Sequence, residues 1–183
     1  MSTPREIRRL AFQILYQLDA RGGDTPAGDA GTAEAQAVLA TLTEDDEEAA
    51  KFTDGDRRKA FVLATEAYAD RVAADAFMGE AAPGWPAHRQ AAVDRAILRL
   101  AHHEIVSGKT PPKIAVNEAI ELAKAYSTEK SPAFINGLLD KALKKALGEQ
   151  AQTPEASAVT EAEGDGGGGE SERIAGGEEA EKA

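Results

Sequence analysis

The apolar residues of this chain recur at three- and four-residue steps through five separate segments, and no segment alternates apolar with polar residues as a half-buried strand would. In residues 4–20 the repeating positions are Ile7, Leu10, Ala11, Ile14, Leu15 and Leu18. Thr3 and Glu6 are spaced as a capping box, with Pro4 at the first helical position. Residues 56–77 place Phe61, Thr65, Tyr68, Val72 and Ala76 on one face. Residues 87–107 do the same with Val93, Ile97, Leu100, Ala101 and Ile105, and Gly108 is placed to stop that helix. Thr110-Pro111-Pro112 opens another helix with Val116, Ile120, Ala123 and Tyr126 inward. Ser131-Pro132 opens the last, with Ile135, Leu138, Leu139, Ala142 and Ala146 inward, and Lys141, Lys144 and Lys145 in its later turns, where positive charge suits the helix dipole. A weaker helix is expected over 33–42 through Val38, Leu39 and Leu42. The fold class these periods predict is a compact all-α bundle.

The net charge of −11 over 183 residues argues, taken alone, against binding a polyanion. Its distribution argues otherwise. Residues 149–183 carry ten acids and two bases, and residues 21–56 carry the same. The remaining positions, 1–20 and 57–148, hold a net charge of +5. Residues 1–148 are therefore read as one helical domain in which 21–56 is acidic and partly loop, with a Gly/Pro/Asp stretch at 21–33. Residues 149–183, with a GDGGGGE run and almost no large apolar side chains, are expected to be a disordered acidic tail. The chain has no cysteine, which excludes disulfides and thiolate-ligated metals. No apolar run approaches the roughly 18 residues of a membrane helix, and MSTPREIRRL has no secretory apolar core. A soluble, cytoplasmic protein with no membrane partner is the expectation.

Catalytic and cofactor motifs are weak. Ser107-Gly108-Lys109-Thr110 resembles the end of a phosphate-binding loop, but the pattern's earlier glycine falls at His103, and Pro111-Pro112 follows where backbone amides are needed. His102 and His103 are adjacent and so point about 100° apart on a helix, which suits solvated surface histidines better than one metal ion. With no G-x-S-x-G and no histidines at i, i+4, no nucleophile–base pair emerges. Neither an enzyme, a metal site nor a cofactor is expected.

Two features point to binding. Arg5, Arg8 and Arg9 occupy the first two turns of the first helix, where positive charge opposes the dipole by about a few tenths of a kcal/mol each. Arg5, Arg9, Gln13 and Tyr16 form a stripe opposite the apolar face, and guanidinium, amide and phenol groups suit phosphate pairing, base-edge hydrogen bonding and stacking. The second feature is Lys130-Ser131-Pro132-Ala133-Phe134-Ile135-Asn136, a helix start preceded by a lysine, with Phe134 at the edge of the buried stripe. The acidic run Glu44–Glu48 reads as a solvated loop, and the acidic tail could compete with RNA for the basic face.

VDRAILRLAHHEI (93–105) and PPKIAVNEAIELAKAYSTEKSPAFINGLLDKAL (111–143) closely resemble the two most distinctive blocks of the NusB family of transcription antitermination factors. REIRRLAFQILYQLD (5–19) resembles the family's first helix, and Trp85 stands where a tryptophan is frequent. The resemblance implies two packed helical sub-bundles and no catalysis. It implies binding of a single-stranded boxA-type element of ribosomal RNA leaders together with the ribosomal protein NusE, in an RNA polymerase antitermination complex that reads through terminators. It assigns RNA contacts to Arg5, Arg8, Gln13 and Tyr16 and to the block around Phe134 and Asn136, and partner contact to Asp94. The stripe and the helix start add Arg9 and Lys130 to the RNA-binding set, Lys130 standing where the family commonly has an acid. Some members self-associate when free, which raises a homodimer here. With three arginines in the first ten residues, fewer than relatives often carry, RNA affinity without the partner is expected to be weak.

Two other readings compete. The related domain attached to ribosomal RNA cytosine methyltransferases would need a catalytic domain, and only an acidic tail follows here. A helical protein-interaction module that has lost most RNA binding would act only through its ribosomal-protein partner.

Overall fold

A computed structural model of the chain describes residues 2–21, 40–41 and 51–150, without the side chains of 146, 147, 149 and 150. These residues form six α-helices and no strand: α1 (Pro4–Arg21), α2 (Asp54–Ala69), α3 (Arg71–Ala81), α4 (Ala92–Val106), α5 (Pro112–Tyr126) and α6 (Ser131–Gln150), with a 3-10 turn at Ala87–Arg89. Those up to Glu149 belong to one compact unit. The expected tail and the loop at 21–33 lie outside the described residues apart from their first positions, as does the 33–42 helix apart from Ala40 and Thr41, which are helical.

Local chemistry sets the helix ends. The Thr3 amide donates to Glu6 Oε2 at 2.6 Å and the Glu6 amide to Thr3 Oγ1 at 3.3 Å, so the capping box closes α1 as its spacing predicted. Thr53 caps α2 by accepting from the Asp56 amide at 3.2 Å. Gly108 follows α4 with φ +68°, the left-handed conformation that a helix stop favours and that glycine adopts without a Cβ penalty.

The core joins Leu10, Ile14 and Leu15 of α1, Phe61 and Ala64 of α2, Met78 of α3, Ile97 and Leu100 of α4, Ala119 of α5 and Ile135 and Leu139 of α6. The helices pair as α1 with α2 and as α4 with α5, and the two pairs pack through α1–α4 and α2–α4. α4 is central, with every residue from Ala96 to Ile105 buried.

Two segment boundaries depart from the sequence expectation. The helix expected over 56–77 breaks at Asp70, which ends α2 and precedes α3. The break rotates the following face, so Ala74 and Met78 are buried while Val72 is 72% exposed and Ala76 faces solvent. The helix expected over 87–107 starts late, because residues 87–89 form a 3-10 turn and buried Gln90 donates to the Trp85 carbonyl at 3.0 Å. Tyr126, expected inward, is 38% exposed.

The histidines correct a third expectation. His102 and His103 are buried rather than solvated, because α4 is enclosed on all sides. His103 Nδ1 donates to Asp70 Oδ2 at 2.6 Å, and Glu66 lies 3.4 Å from its Nε2. His102 packs against the Phe77 ring with centroids 5.2 Å apart, and burial holds its pKa below the usual imidazole value. No group of three or more metal-ligating side chains occurs among the described residues.

Candidate nucleic-acid interface

α1 packs on α4 and makes side-chain contacts with α5. Arg5 and Arg8 meet Glu118 of α5, and the Phe12 ring packs tilted against that of Tyr126 with centroids 5.2 Å apart, so α1 and α5 run in the same direction. Arg8 meets Glu104 of α4 while Asp19 meets Arg95 and Arg99, so α1 and α4 run oppositely.

The outward stripe is present. Arg5 and Tyr16 are exposed, and Arg9 and Gln13 are half-buried. Arg5 grips Glu118 with Nε and Nη2, the shorter contact at 2.8 Å, which raises the guanidinium pKa while leaving 62% of the side chain in solvent. Thr3's hydrogen bonds hold the Glu6 carboxyl below the ordinary carboxylate range, aided by the nearby charges of Arg9 and Lys51.

Arg8 departs from the RNA-contact assignment. Its side chain is only 9% exposed and forks onto Glu104, with Nε 2.8 Å from Oε2 and Nη2 2.7 Å from Oε1. Burial works to lower its pKa, and the hydrogen bonds and charge of Glu104 outweigh that and raise it. Thr110 Oγ1 donates to Glu104 Oε1 at 2.8 Å, and Glu118 stands 3.5 Å from the free guanidinium edge. Arg8 thus fastens α1 to the α4–α5 hairpin and offers no free guanidinium to a nucleic acid. Position carried the missed signal: Arg8 lies three residues before Ala11 and seven before Leu15, on the apolar face, and Glu104 lies four after Leu100 on the core face of α4.

Asp94 is likewise corrected. It is buried, and both its oxygens are occupied: Ser127 Oγ donates to Oδ1 at 2.5 Å and Ser131 Oγ to Oδ2 at 2.9 Å. Its carboxylate ties the start of α4 to the turn between α5 and α6 instead of facing outward to a partner. The adjacent Arg95 holds Asp19 at 2.6 Å, so the start of α6 lies at the end of α1 that carries Tyr16 and Asp19. Burial works to raise the Asp19 pKa, and hydrogen bonds from Arg95 and Arg99 outweigh it.

In the α6 block, Lys130 and Asn136 are exposed and Phe134 is half-buried against the core. Tyr126 lies eight residues along α5 from Glu118, an axial rise of about 12 Å. Arg5 and the Lys130–Asn136 block therefore occupy different ends of the α1 face, with Gln13, Tyr16 and the Phe12–Tyr126 pair between them.

Comparison with known proteins identifies the class as helical transcription antitermination factors. The NusB family matches residues 5–144, and the chain belongs to that family. It is 41% identical over 151 residues to the transcription antitermination protein NusB of Symbiobacterium thermophilum, covering 79% of this chain and 91% of that one. Its fold is similar to that of T. maritima NusB, with a TM-score of 0.63 and 29% identity over 84% of this chain and all of that one. A crystal structure of antitermination factors NusB and NusE in complex with dsRNA shares the fold, with a TM-score of 0.61 and 23% identity over 77% of this chain and 96% of that one. No described helix is long and apolar enough to cross a membrane.

Proposed function

We propose that this chain is an RNA-binding antitermination factor that acts with NusE on boxA-type single-stranded RNA of ribosomal RNA leaders, and that the assembly helps RNA polymerase read through terminators. The observation that carries this reading is the family match over 5–144, which includes the whole α1 stripe and the start of α6. RNA runs along α1 past Arg5, Arg9, Gln13 and Tyr16 toward Lys130, Phe134 and Asn136. The exposed Tyr16 ring and the half-buried Phe134 ring supply stacking, and the cations hold phosphates. Arg8 and Asp94 position this surface from beneath it. The reading has no catalytic step.

The pairing of Arg5 and Arg8 with carboxylates favours a second reading, a module that works through NusE alone. One titration separates the two. Chain mixed with NusE is offered boxA-like or scrambled RNA, with Arg5→Ala plus Arg9→Ala as the control. Tighter binding of boxA-like RNA, weakened in the control, supports RNA binding. Equal affinity for both RNAs leaves the partner-only module.

A further inference from the structure

The structure neutralises many of this domain's cations. Glu118, Glu104, Asp19, Asp75, Glu66, Glu121 and Asp140 hold Arg5, Arg8, Arg95, Arg99, Lys109, Lys124 and Lys144. The cations without such a partner among the described residues show where attraction for a polyanion remains. Three fall within nine residues at the start of α2: Lys51, Arg58 and Lys59, all exposed. Near the start of a helix they gain nothing from its dipole, so local stability does not account for them.

That helix start is fastened to the start of α1. The Ser2 hydroxyl donates to Asp56 Oδ2 at 3.0 Å, and the Ser2 amide donates to the same oxygen at 3.4 Å. Asp56 is buried, and hydrogen bonds from Thr53 and Ser2 hold its carboxyl below the ordinary range. Lys59 lies three residues further along α2, an axial rise of about 4.5 Å. Lys51 and Arg9 both act on the Glu6 carboxylate of α1. The starts of α1 and α2 thus stand side by side, with Asp54 and Asp56 in the first turn of α2 and Arg58 and Lys59 in the turn that follows.

We propose that the nucleic-acid face extends from the start of α1 onto the start of α2, where Lys51, Arg58 and Lys59 form a second phosphate-contact site for single-stranded RNA. This rests on the RNA-binding reading above and assigns it a longer footprint. The contacts are to phosphates and carry no base preference, so they act on RNA that continues beyond the specific element.

The test uses the full chain with NusE and two RNAs, one limited to a boxA-like element and one extended at both ends. Affinity is followed against salt for wild type, for Arg58→Ala plus Lys59→Ala, and for Lys144→Ala plus Lys145→Ala, which removes the same charge from α6. Losing two phosphate contacts lowers the single-strand salt slope by about 1.4, so the affinity lost between about 50 and 200 mM salt shrinks about sevenfold. The proposal expects that change for the α2 pair on the extended RNA, with the preference for boxA-like over scrambled sequence unchanged and the α6 pair like wild type. An unchanged slope for the α2 pair overturns it, as does an equal change for the α6 pair. Tighter RNA binding by the α2 pair, abolished by deleting 151–183, also overturns it and assigns the patch to the chain's own acidic segment. Absence of RNA binding by the wild-type mixture would instead sink the reading on which the proposal stands.

Discussion

Replacing Arg8 tests whether the arginine cluster of α1 is a binding device or a structural one. The side chains of Arg8 and Glu104 are 9% and 3% exposed, and the two are joined by a two-pronged contact. Arg8→Met would strand a buried carboxylate with only the Thr110 hydroxyl for company, at a cost of about 3–5 kcal/mol. Glu104→Met would strand the guanidinium less completely, because Glu118 is still 3.5 Å away, so its cost is lower, about 2 kcal/mol. Changing both to methionine removes both charges together and is expected to be near neutral, making the pair non-additive by about 5 kcal/mol. Urea unfolding of the four proteins at neutral pH measures this directly. A cost below about 1 kcal/mol for Arg8→Met, or a double variant as unstable as its singles combined, would refute the buried-pair argument. The stable double variant then answers the functional question. It retains RNA binding if Arg8 is structural, and loss of binding in a well-folded double variant would return Arg8 to the RNA face.

Three further outcomes follow from the same geometry. His102 has a folded-state pKa below the unfolded value of 6.5, so as pH falls through 6.5 the unfolded chain takes up a proton that the folded chain refuses, and stability declines; the drop in melting temperature between pH 7.5 and pH 5.5 should shrink in His102→Phe, and an unchanged drop refutes it. Gly108→Ala meets no atom within 4 Å but must hold φ +68°, so denaturant unfolding should show a loss of about 1 kcal/mol, and a neutral result would mean that the turn relaxes. Asp94→Ala leaves the Ser127 and Ser131 hydroxyls without their acceptor, a loss of about 1–3 kcal/mol that should appear as faster hydrogen exchange at the start of α6, with exchange in α2 unchanged.

The bundle was legible because helix period and end chemistry agree along most of the chain. Thr3, Glu6 and Pro4 marked the start of α1, Gly108 the end of α4, and Ser131-Pro132 the start of α6, and all three are local signals. The break at Asp70 was not legible, since helical periodicity continues through it and tertiary packing of Ala74 and Met78 selects the new face. The buried histidines were misread for a related reason. Sequence shows which residues share a face of α4, but its enclosure on every side depends on α1, α2, α3 and α5 all packing against it. In the candidate site, the outward stripe of Arg5, Arg9, Gln13 and Tyr16, exposed at its two ends and half-buried between, was readable from spacing alone. Arg8 was not, because its partner Glu104 lies 96 residues away, and the pairing is visible only when opposite charges on two core faces are matched. Asp94 failed similarly, since its partners Ser127 and Ser131 follow 33 and 37 residues later.

The charge inventory also sets how steeply RNA binding should depend on salt. The +5 of the basic segments already sets Arg8, Arg95 and Arg99 against Glu104, Asp19 and Asp75, and the salt dependence rests instead on which cations the fold leaves at the surface. In the proposed footprint along α1 and the start of α6, Arg5, Arg9 and Lys130 are the phosphate contacts, and Arg5 must share or leave Glu118 to serve as one. Three contacts give a slope of about 2 for single-stranded RNA, and engaging Lys51, Arg58 and Lys59 as well gives about 4. A salt series on the chain without NusE, using extended RNA, distinguishes these values. A slope well above about 4 would require more phosphate contacts than these six exposed or half-buried cations supply. Further exposed cations such as Lys113 and Lys145, or buried arginines leaving their carboxylates, would then have to join the contact, and a footprint limited to α1 and the starts of α2 and α6 would be wrong.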